Sequence, residues 1–445
     1  MGNCNSTTNK RKTQTEPSAQ AQPSKSRAQA PKEQPTNPKS QQAQAQEEVK
    51  IKPLKVIAKE KGSIVFNGEF ERDKKIEEIY KEYLDPLRDY EISYNNKLLN
   101  INSSSKLRDI FNNNIDSVEL TIEYIGLDIS DNCRNSYESS TRYIGTLLLD
   151  TPEIFGLVVY NTSTQQTSTF NYSVNSDNMF SNFGIFSAFC NANNKIYLSG
   201  GEVQSANSNT EYSRHMVEIN LETANRDTIE VNKLPDLNEA RSWHSMIFVP
   251  DQKIFIVGGT DSQTVEVYDT VQHTISIDSK MNEKRNECTL CLINNTYLYA
   301  FCGFVLHQSY LNSIERCNLR RNKRTWQMVD IQYENNITFI PSFFSVSYYQ
   351  DDLLLLGGNE NTDEKEQNYL VKIPNIDKPN VTISEYNSFD NVADIYREKF
   401  FLPINQYESI LLPLVSSNIR VLTMDERNGQ ITKKEYNIVE DSDRY

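Results

Sequence analysis

The chain has 445 residues, of which 37% are hydrophobic, and it carries a formal net charge of −14 at pH 7. This length accommodates more than one domain with a sizeable core, and the acidic balance excludes nucleic acid as the expected partner. Since there is neither an apolar run of the roughly 18 residues that a membrane span needs nor a secretory leader, we expect a cytosolic protein whose seven cysteines are reduced.

The N-terminus carries a lipidation signal. Gly2 follows the first methionine and Ser6 stands at the sixth position, which fits the rule for N-myristoylation. One myristoyl chain holds a protein to a bilayer only marginally, so stable attachment takes a second signal. Cys4 offers a palmitoylation site, and the basic triplet Lys10, Arg11 and Lys12 offers attraction to anionic headgroups. The sequence therefore predicts a membrane anchor at this end.

Residues 1–48 are predicted to be a disordered, acylated basic tether. From Gly2 to Glu48 there is no Val, Ile, Leu, Phe, Tyr or Trp, so this stretch cannot form a core. It holds seven basic residues against four acidic ones, whereas the remainder of the chain holds the acidic surplus. As a flexible chain it would span about 35–40 Å, which leaves the folded part free to move near a membrane.

Residues 49–130 are predicted to form a small α+β module. Ser63–Phe66 has the pattern of a strand, and Lys74–Leu84 has the pattern of an amphipathic helix with Ile76, Ile79, Tyr80 and Tyr83 on one face. Together with the segments that follow it, this order resembles a ubiquitin-like β-grasp domain. The segments that carry the resemblance are Tyr90–Leu99, Ser105–Ile110 and Ser117–Glu123.

Two departures limit what the ubiquitin-like resemblance implies. Ser93 stands where ubiquitin offers an apolar residue to its receptors, and Gly126 is followed by Leu127 where ubiquitin ends in two glycines. We therefore expect docking or scaffolding by this module, and no conjugation to substrates. The alternative is an α+β module that only packs on the following domain.

Four later stretches share a pattern in which a short apolar run ends in glycine. A run such as Ile254–Val257 is apolar on both faces and too short for a helix, which predicts a strand buried between neighbours. Glycines at its end permit a positive φ and a close backbone approach. The second glycines stand at 201, 259, 303 and 358, a spacing near 50 residues. The glycines concerned are Gly200, Gly201, Gly258, Gly259, Gly303, Gly357 and Gly358.

The segments between these runs also repeat. Leu237–His244 and Met281–Cys288 precede two of the runs and share the pattern Asn-Glu-x-Arg, and two alternating strands follow each glycine turn. The period and the pattern resemble kelch repeats. The resemblance covers residues 140–445 and implies a β-propeller, and the length divided by the period gives six blades. The fold class is thus mainly β: a kelch-type propeller preceded by a tail and a ubiquitin-like domain.

In a propeller of this kind the strands are committed to packing, so binding is expected on loops. The loops that leave the glycines and the segments that lead into the blades would share one rim, suited to a peptide or protein partner. The candidate contacts on this rim are Glu202, Arg214, Arg241, His244, Asp261, Arg285, His307, Tyr310 and Glu360. On the opposite rim, the turn Arg320–Arg324 is either a solvated hairpin turn or a contact for acidic headgroups or an acidic partner.

Signs of enzyme chemistry are lacking in the sequence. Cys288 and Cys291 form the sole CxxC pair, and no second pair stands at zinc-finger spacing. No phosphate-binding glycine loop and no nucleophile elbow is present. We therefore expect no metal, no cofactor and no catalysis.

The functional expectation is a non-enzymatic scaffold or adaptor, held at the cytosolic face of a plasma or ciliary membrane, that binds a protein through propeller loops. Two alternatives remain open: a substrate adaptor in ubiquitin ligation, and a cytoskeletal or ciliary linker. The sequence leaves the oligomeric state and the identity of the partner open.

Overall fold

The structure is a computed structural model. It describes residues 52–100, 104–125, 142–151, 154–164, 166–173, 183, 185–204, 210–225, 227–249, 251–306, 310–334, 344–349, 352–357, 369–385, 400–403, 408–412, 418–424 and 431–437. The acylation signal and the basic triplet at residues 2–12 lie outside these ranges, as do His307, Glu360 and Gly358. None of the described helices is long and apolar enough to span a bilayer.

The first described unit is a five-stranded mixed sheet with two helices. Its elements in chain order are Leu54–Glu60 (β1), Ser63–Phe70 (β2), Ile76–Tyr83 (α1), Tyr90–Tyr94 (β3), Lys97–Leu99 (β4), Leu107–Ile110 (α2) and Ser117–Tyr124 (β5). The strand order is β2-β1-β5-β3-β4, with β1 and β5 parallel and the other pairs antiparallel. We refer to this unit as the small module.

The small module has a core of its own. Alternate residues of β5, namely Val118, Leu120 and Ile122, are buried on one face of the sheet, where Ile76 and Ile79 of α1 pack against it. The predicted helix and the predicted strand at Ser63–Phe66 are therefore confirmed. Tyr83 departs from the predicted helix face, because 43% of it is exposed and its ring stacks on Phe66 at the end of α1.

The remaining described chain is all β and forms multiple small sheets, whose strand pairs are antiparallel except for the parallel pair of Asp330–Tyr333 with Asn380–Glu385. The strands of the first three sheets are Tyr143–Thr151 (β6), Ile154–Asn161 (β7), Gln166–Ser173 (β8), Ala188–Ala192 (β9), Lys195–Ser199 (β10), Glu202–Gln204 (β11), Thr210–Tyr212 (β12), Met216–Asn220 (β13) and Val231–Lys233 (β14). The sheet orders are β6-β7-β8, β14-β13-β10-β9 and the two-stranded β11-β12.

Two four-stranded sheets of one design follow in the middle of the chain. Their strands are Ser245–Val249 (β15), Lys253–Val257 (β16), Thr264–Asp269 (β17), Thr274–Lys280 (β18), Thr289–Ile293 (β19), Tyr297–Phe301 (β20), Ile314–Asn318 (β21) and Trp326–Met328 (β22). Each is a simple meander in which every strand pairs with the next along the chain.

Two more sheets complete the described chain. Their strands are Asp330–Tyr333 (β23), Phe344–Tyr349 (β24), Asp352–Gly357 (β25), Tyr369–Lys372 (β26), Asn380–Glu385 (β27), Phe400–Pro403 (β28), Glu408–Leu412 (β29), Asn418–Met424 (β30) and Ile431–Asn437 (β31). The orders are β23-β27-β26-β25-β24 and β28-β29-β30-β31. The chain is thus mainly β, and its series of small meanders is compatible with a propeller-like β fold.

Inner strands bury both of their faces between neighbouring sheets. In β16, Ile254 and Ile256 pack into a core shared with the sheet that contains β10, whereas Phe255 and Val257 pack into a core shared with the sheet that contains β20. The strand β20 repeats this division between the sheets on either side of it. The prediction that Ile254–Val257 is a strand apolar on both faces is confirmed, and each meander is held by two cores.

The small module contacts the turn between β21 and β22. The Arg320 guanidinium donates a hydrogen bond to Asp85 at 2.8 Å, and Arg321 forms an ion pair with Asp89. The backbone N–H of Asp89 donates to the Arg320 carbonyl at 3.2 Å, and the Asn318 amide donates to the carbonyl of Leu87. We call this contact the acidic-loop junction.

The acidic-loop junction corrects the expectation for Arg320–Arg324. Arg320 is buried and Arg324 pairs with Asp278 of β18 at 2.5 Å, so these cations are occupied within the chain. Of the cations in this turn, Arg320, Arg321 and Arg324 are paired within the chain, and Lys323 is exposed. The partner was missed because residues 85–89 and 318–322 are far apart in sequence, and no local pattern links them.

Candidate binding rim

One edge of the meanders gathers the segments that the sequence singles out. At this edge β16 ends and β15 and β17 begin, so the glycine turn after β16 lies beside the segment that leads into β15. We call the segments 185–187, 234–244 and 281–288 the lead-in segments. Together with the described loops that follow β10, β16 and β20, they make up the rim.

The glycines at the rim are required by two independent constraints. The backbone φ is positive at four of them, in a region that residues with a side chain rarely adopt. The values are 65° at Gly200, 67° at Gly258, 83° at Gly259 and 93° at Gly303. A Cβ on Gly258 would also lie 2.2 Å from the carbonyl oxygen of Arg285 in the next lead-in segment. The predicted close backbone approach is therefore confirmed at these positions. Gly200 and Gly258 approach the following lead-in segment, whereas Gly259 and Gly303 approach the lead-in segment of their own sheet. Gly357 ends β25, and Gly201 shares the positive φ.

Arg241 connects two neighbouring sheets from inside the rim. Its carbonyl oxygen accepts a 2.7 Å hydrogen bond from the Gly201 N–H of the preceding sheet. Its guanidinium donates to Glu266 of β17 at 3.0 Å and to the carbonyls of Gly258 and Thr264 at 2.6 and 3.0 Å. Arg241 and Glu266 are both fully buried. The charge is thus matched and its donors are satisfied, as burial demands.

Arg285 repeats this arrangement one sheet later. Its carbonyl accepts from the Gly259 N–H at 2.8 Å, and its guanidinium donates to Glu315 of β21 at 3.1 Å and to the carbonyls of Cys302 and Ser313. Arg241 and Arg285 were expected as rim contacts for a partner. The structure corrects this, because both guanidinium groups are buried in ion pairs with Glu266 and Glu315.

His244 is also internal. Its ring is buried, and Nε2 lies 2.8 Å from the hydroxyl of Ser199 in the preceding sheet. Burial, followed by the nearby positive charge of Arg241, lowers the pKa of His244 to about 3, so the ring is neutral at physiological pH. The expectation of His244 as a partner contact is wrong for the same reason as for the two arginines.

Four predicted contacts do lie at the surface of the rim. Glu202 and Asp261 are half-buried, while Arg214 and Tyr310 are exposed. The Glu202 carboxylate accepts a 2.7 Å hydrogen bond from the Trp243 indole, and the Asp261 carboxylate accepts one from the backbone of Leu306 at 3.0 Å. These bonds fix the two carboxylates in place on neighbouring loops.

The structure adds a feature that the sequence reasoning missed, which we call the aromatic row. Phe186 stacks on Trp243 with ring centroids 3.3 Å apart, Trp243 meets Phe304 edge-on at 5.4 Å, and Phe304 meets Tyr310 at 6.2 Å. The row therefore crosses three successive sheets. Its members lie on loops of different repeats, where a lone aromatic residue in the sequence carries no signal.

The backbone beneath the aromatic row is strained and linked. Phe186, Trp243 and Glu287 each lie two residues before the first strand of their sheet, and their φ values are 61°, 59° and 47°. The Trp243 N–H donates to the Phe186 carbonyl at 3.0 Å, and the Glu287 N–H donates to the Trp243 carbonyl at 2.6 Å. Backbone strain of this kind at a surface feature is typical of functional positions.

The described residues hold no cluster of three or more His, Cys, Asp or Glu side chains that would bind a metal ion. Cys288 and Cys291 are both buried as free thiols. Burial raises the pKa of Cys288 to about 11, so its thiol is protonated and unreactive at neutral pH. The groups that the described part of the rim presents are aromatic rings and fixed carboxylates.

Comparison with known proteins adds little. Neither a protein-family model nor a curated protein matches the chain. Among solved structures, the one described as "Structure of YjhT" aligns with a TM-score of 0.47 and 10% sequence identity, over 65% of this chain and 96% of that one. At this level of similarity nothing about this chain follows from that structure.

Proposed function

We propose that this chain is a non-enzymatic scaffold, anchored by N-terminal acyl chains at the cytosolic face of a membrane, that binds a protein partner through the rim of a kelch-type propeller. The observation that carries the proposal is the aromatic row with its fixed carboxylates, because aromatic residues are the common anchors of protein interfaces. Among the described strands, inner ones such as β16 and β20 bury both of their faces, which leaves the loops to carry such a surface.

The six consecutive meanders that contain β7, β10, β16, β20, β25 and β29 would be the blades. Serial packing through shared cores, from the sheet of β7 to the sheet of β25, and a repeat length near 50 residues support this assignment. The glycine turns and the buried arginines would then surround the converging ends of the inner strands.

The small module would be a ubiquitin-like domain in a docking role. Its strand order, with β1 and β5 parallel in the middle and α1 between β2 and β3, supports the β-grasp assignment. The residues of β5 on the face of the sheet away from α1 are Ser117, Glu119, Thr121 and Glu123, and Glu119 forms an ion pair with Lys59 of β1 at 2.8 Å. The acidic-loop junction would be the main use of the module.

Membrane attachment is tested with Gly2→Ala in cells, with Asn5→Ala as the control variant in the same segment. We expect Gly2→Ala to leave the membrane fraction entirely, and Cys4→Ser to remain loosely and reversibly attached, because a single myristoyl chain binds weakly. Equal membrane fractions for the wild type and Gly2→Ala would remove the anchor from the proposal.

The scaffold role is tested by proximity labelling of the wild type and of Gly2→Ala in the native cell. Membrane or cortical proteins labelled only by the wild type would support the proposal. Neighbours dominated by cullins and ubiquitin enzymes and independent of Gly2 would favour the ligase adaptor, and axonemal or actin components would favour the cytoskeletal linker.

A further inference from the structure

The aromatic row is partly exposed to solvent at one place on the rim. Tyr310 at one end is 47% exposed and Ile185, next to Phe186 at the other end, is 55% exposed. Trp243 and Phe304 between them are half-buried. Ring faces attract cations as well as apolar groups, so this surface has two classes of ligand.

The carboxylates beside the aromatic row favour a cationic ligand over a purely apolar one. The bonds that Glu202 accepts from Trp243 and Ser242 both reach Oε1, and those that Asp261 accepts from Asn286 and Leu306 both reach Oδ1. Each carboxylate thus keeps a second oxygen outside these bonds. Glu287 lies beside Trp243, because the Glu287 N–H donates a hydrogen bond to the Trp243 carbonyl. A negative charge therefore lies along the aromatic surface.

The cations of the rim do not cancel this charge. Arg241 and Arg285 are buried against Glu266 and Glu315. In the described lead-in segments and glycine loops, Arg214 and Lys284 are the exposed cations. The same segments hold seven carboxylates, namely Glu202, Glu211, Asp236, Glu239, Asp261, Glu283 and Glu287. The rim is strongly acidic even after the buried pairs are set aside.

We propose that the rim binds a basic segment of a partner protein, with an Arg or Lys side chain laid on the aromatic row and its charge facing Glu202 and Asp261. This inference rests on the proposed function, in which rim loops bind a protein, and it names the chemical class of that partner. A cation over an aromatic ring and beside a carboxylate is held by two attractions at once. An acidic segment would meet repulsion at the same place.

The test uses the full chain and three synthetic twelve-residue peptides that differ only in four positions, which are arginine, glutamine or glutamate on a Gly/Ser background. We expect the arginine peptide to bind at least about tenfold more tightly than the glutamine peptide, and the glutamate peptide to show no binding. Preference for the glutamate peptide, or equal affinity for all three, would overturn the inference.

Two variants separate a site from general attraction to an acidic protein. Glu202→Gln keeps an oxygen that accepts from the Trp243 indole but removes the charge, and Tyr310→Ala removes an exposed ring. Asp227→Asn is the control, because Asp227 is an exposed carboxylate in the turn between β13 and β14, on the opposite rim. We expect a loss of about fivefold to tenfold for each rim variant and less than about twofold for the control.

Other outcomes have distinct meanings. Equal losses for Glu202→Gln and Asp227→Asn would show that only net charge attracts the peptide, which overturns the inference. Tighter binding after Lys10, Arg11 and Lys12 are changed to glutamine would show that the chain's own arm is the occupant, which also overturns it. If Gly2→Ala still loses its membrane neighbours in either case, the scaffold function stands without this partner class.

Discussion

One buried position near the glycine turn holds a glutamate in the two central meanders and an apolar side chain in the sheets before and after them. Glu266 and Glu315 pair across the sheet with Ile256 and Ala300, each two residues before the first residue of its turn, and each accepts hydrogen bonds from a buried arginine. In the sheet before them the same register position is Val217, opposite Leu198, and in the sheet after them it is Tyr369, opposite Leu355.

All four of these residues are buried, so the position tolerates an ion pair or an apolar side chain. The glycine turn of the Val217 sheet is still held by the next sheet, because Gly201 donates to the Arg241 carbonyl. The buried ion pair lies on the receiving side of this joint, because Arg241 both accepts the Gly201 hydrogen bond and pairs with Glu266. It fixes the lead-in segment that carries Trp243, in the middle of the aromatic row.

The strongest way to break this comparison is Glu266→Ala. Glu266 accepts hydrogen bonds from Arg241, from the backbone and side chain of Asn238 and from the backbone of Glu239. Its removal leaves a buried guanidinium without its carboxylate, which costs about 3–5 kcal/mol. Urea unfolding of the two proteins measures the loss.

Val217→Ala serves as the matched control, because it only shortens a buried apolar side chain at the same register position. A cost near 1–2 kcal/mol is expected there. If Glu266→Ala cost no more than this, the ion pair would contribute nothing beyond packing.

Gly258→Ala tests the backbone joint that links the sheets of β10, β16 and β20. The new Cβ would lie 2.2 Å from the Arg285 carbonyl at a φ of 67°, so strain and a clash are combined, and we expect a loss of about 2–3 kcal/mol. Gly62→Ala is the control, since its φ is 85° but no atom lies within 4 Å of the added Cβ. Thermal melting should place Gly62→Ala at about 1 kcal/mol, and equal losses would refute the close approach as a cause.

His244 gives a pH-dependent version of the test. The pKa of its buried ring is lowered to about 3, against about 6.5 in the unfolded chain, so the unfolded state binds more protons between these values. Stability is therefore full above pH 6.5 and falls as the pH drops below it, by up to about 1.4 kcal/mol per pH unit.

Denaturant melts of wild type and His244→Gln at pH 7, 6 and 5 measure this slope. Glutamine retains a partner for Ser199 without titrating, so the difference between the two proteins should grow toward pH 5. A difference that stays constant with pH would mean that His244 is not held neutral by the fold.

The smallest effect is expected at the acidic-loop junction. Asp89→Asn removes the ion pair with Arg321, which is partly exposed, so the loss should be about 1 kcal/mol and should shrink in high salt. Lys323→Ala, in the same turn and exposed, should change stability by less than about 0.5 kcal/mol. Differential scanning calorimetry at two salt concentrations distinguishes them, and identical behaviour would show that charge does not hold the module there.

The strands and glycine turns of the central sheets could be predicted from the sequence because their causes are local. The uninterrupted apolar run Ile254–Val257 indicates a strand with two buried faces, and the glycines after it indicate a turn in which no side chain fits. The helix α1 and the order of the small module were predictable for the same reason.

The candidate site was predicted less well because its causes are not local. Arg241 and Arg285 look like exposed loop residues until their partners Glu266 and Glu315 are seen in the third strand of the sheet. The repeat of Asn-Glu-x-Arg together with Glu in both sheets was the signal that could have revealed them. The aromatic row has no such signal, since Trp243 and Phe304 come from different repeats and meet only in three dimensions.

The acidic-loop junction also imposes an order on synthesis. Asp85 leaves the ribosome 235 residues before Arg320, so at about 5–20 residues per second the small module waits for roughly tens of seconds before its docking turn exists. During that time it must keep its shape unaided. The core formed by Leu54, Val56, Ile79, Ile92 and Leu120 draws on residues of the module alone, which makes this wait feasible. A nascent chain paused between these two points would carry a folded small module whose docking turn has not yet been synthesised.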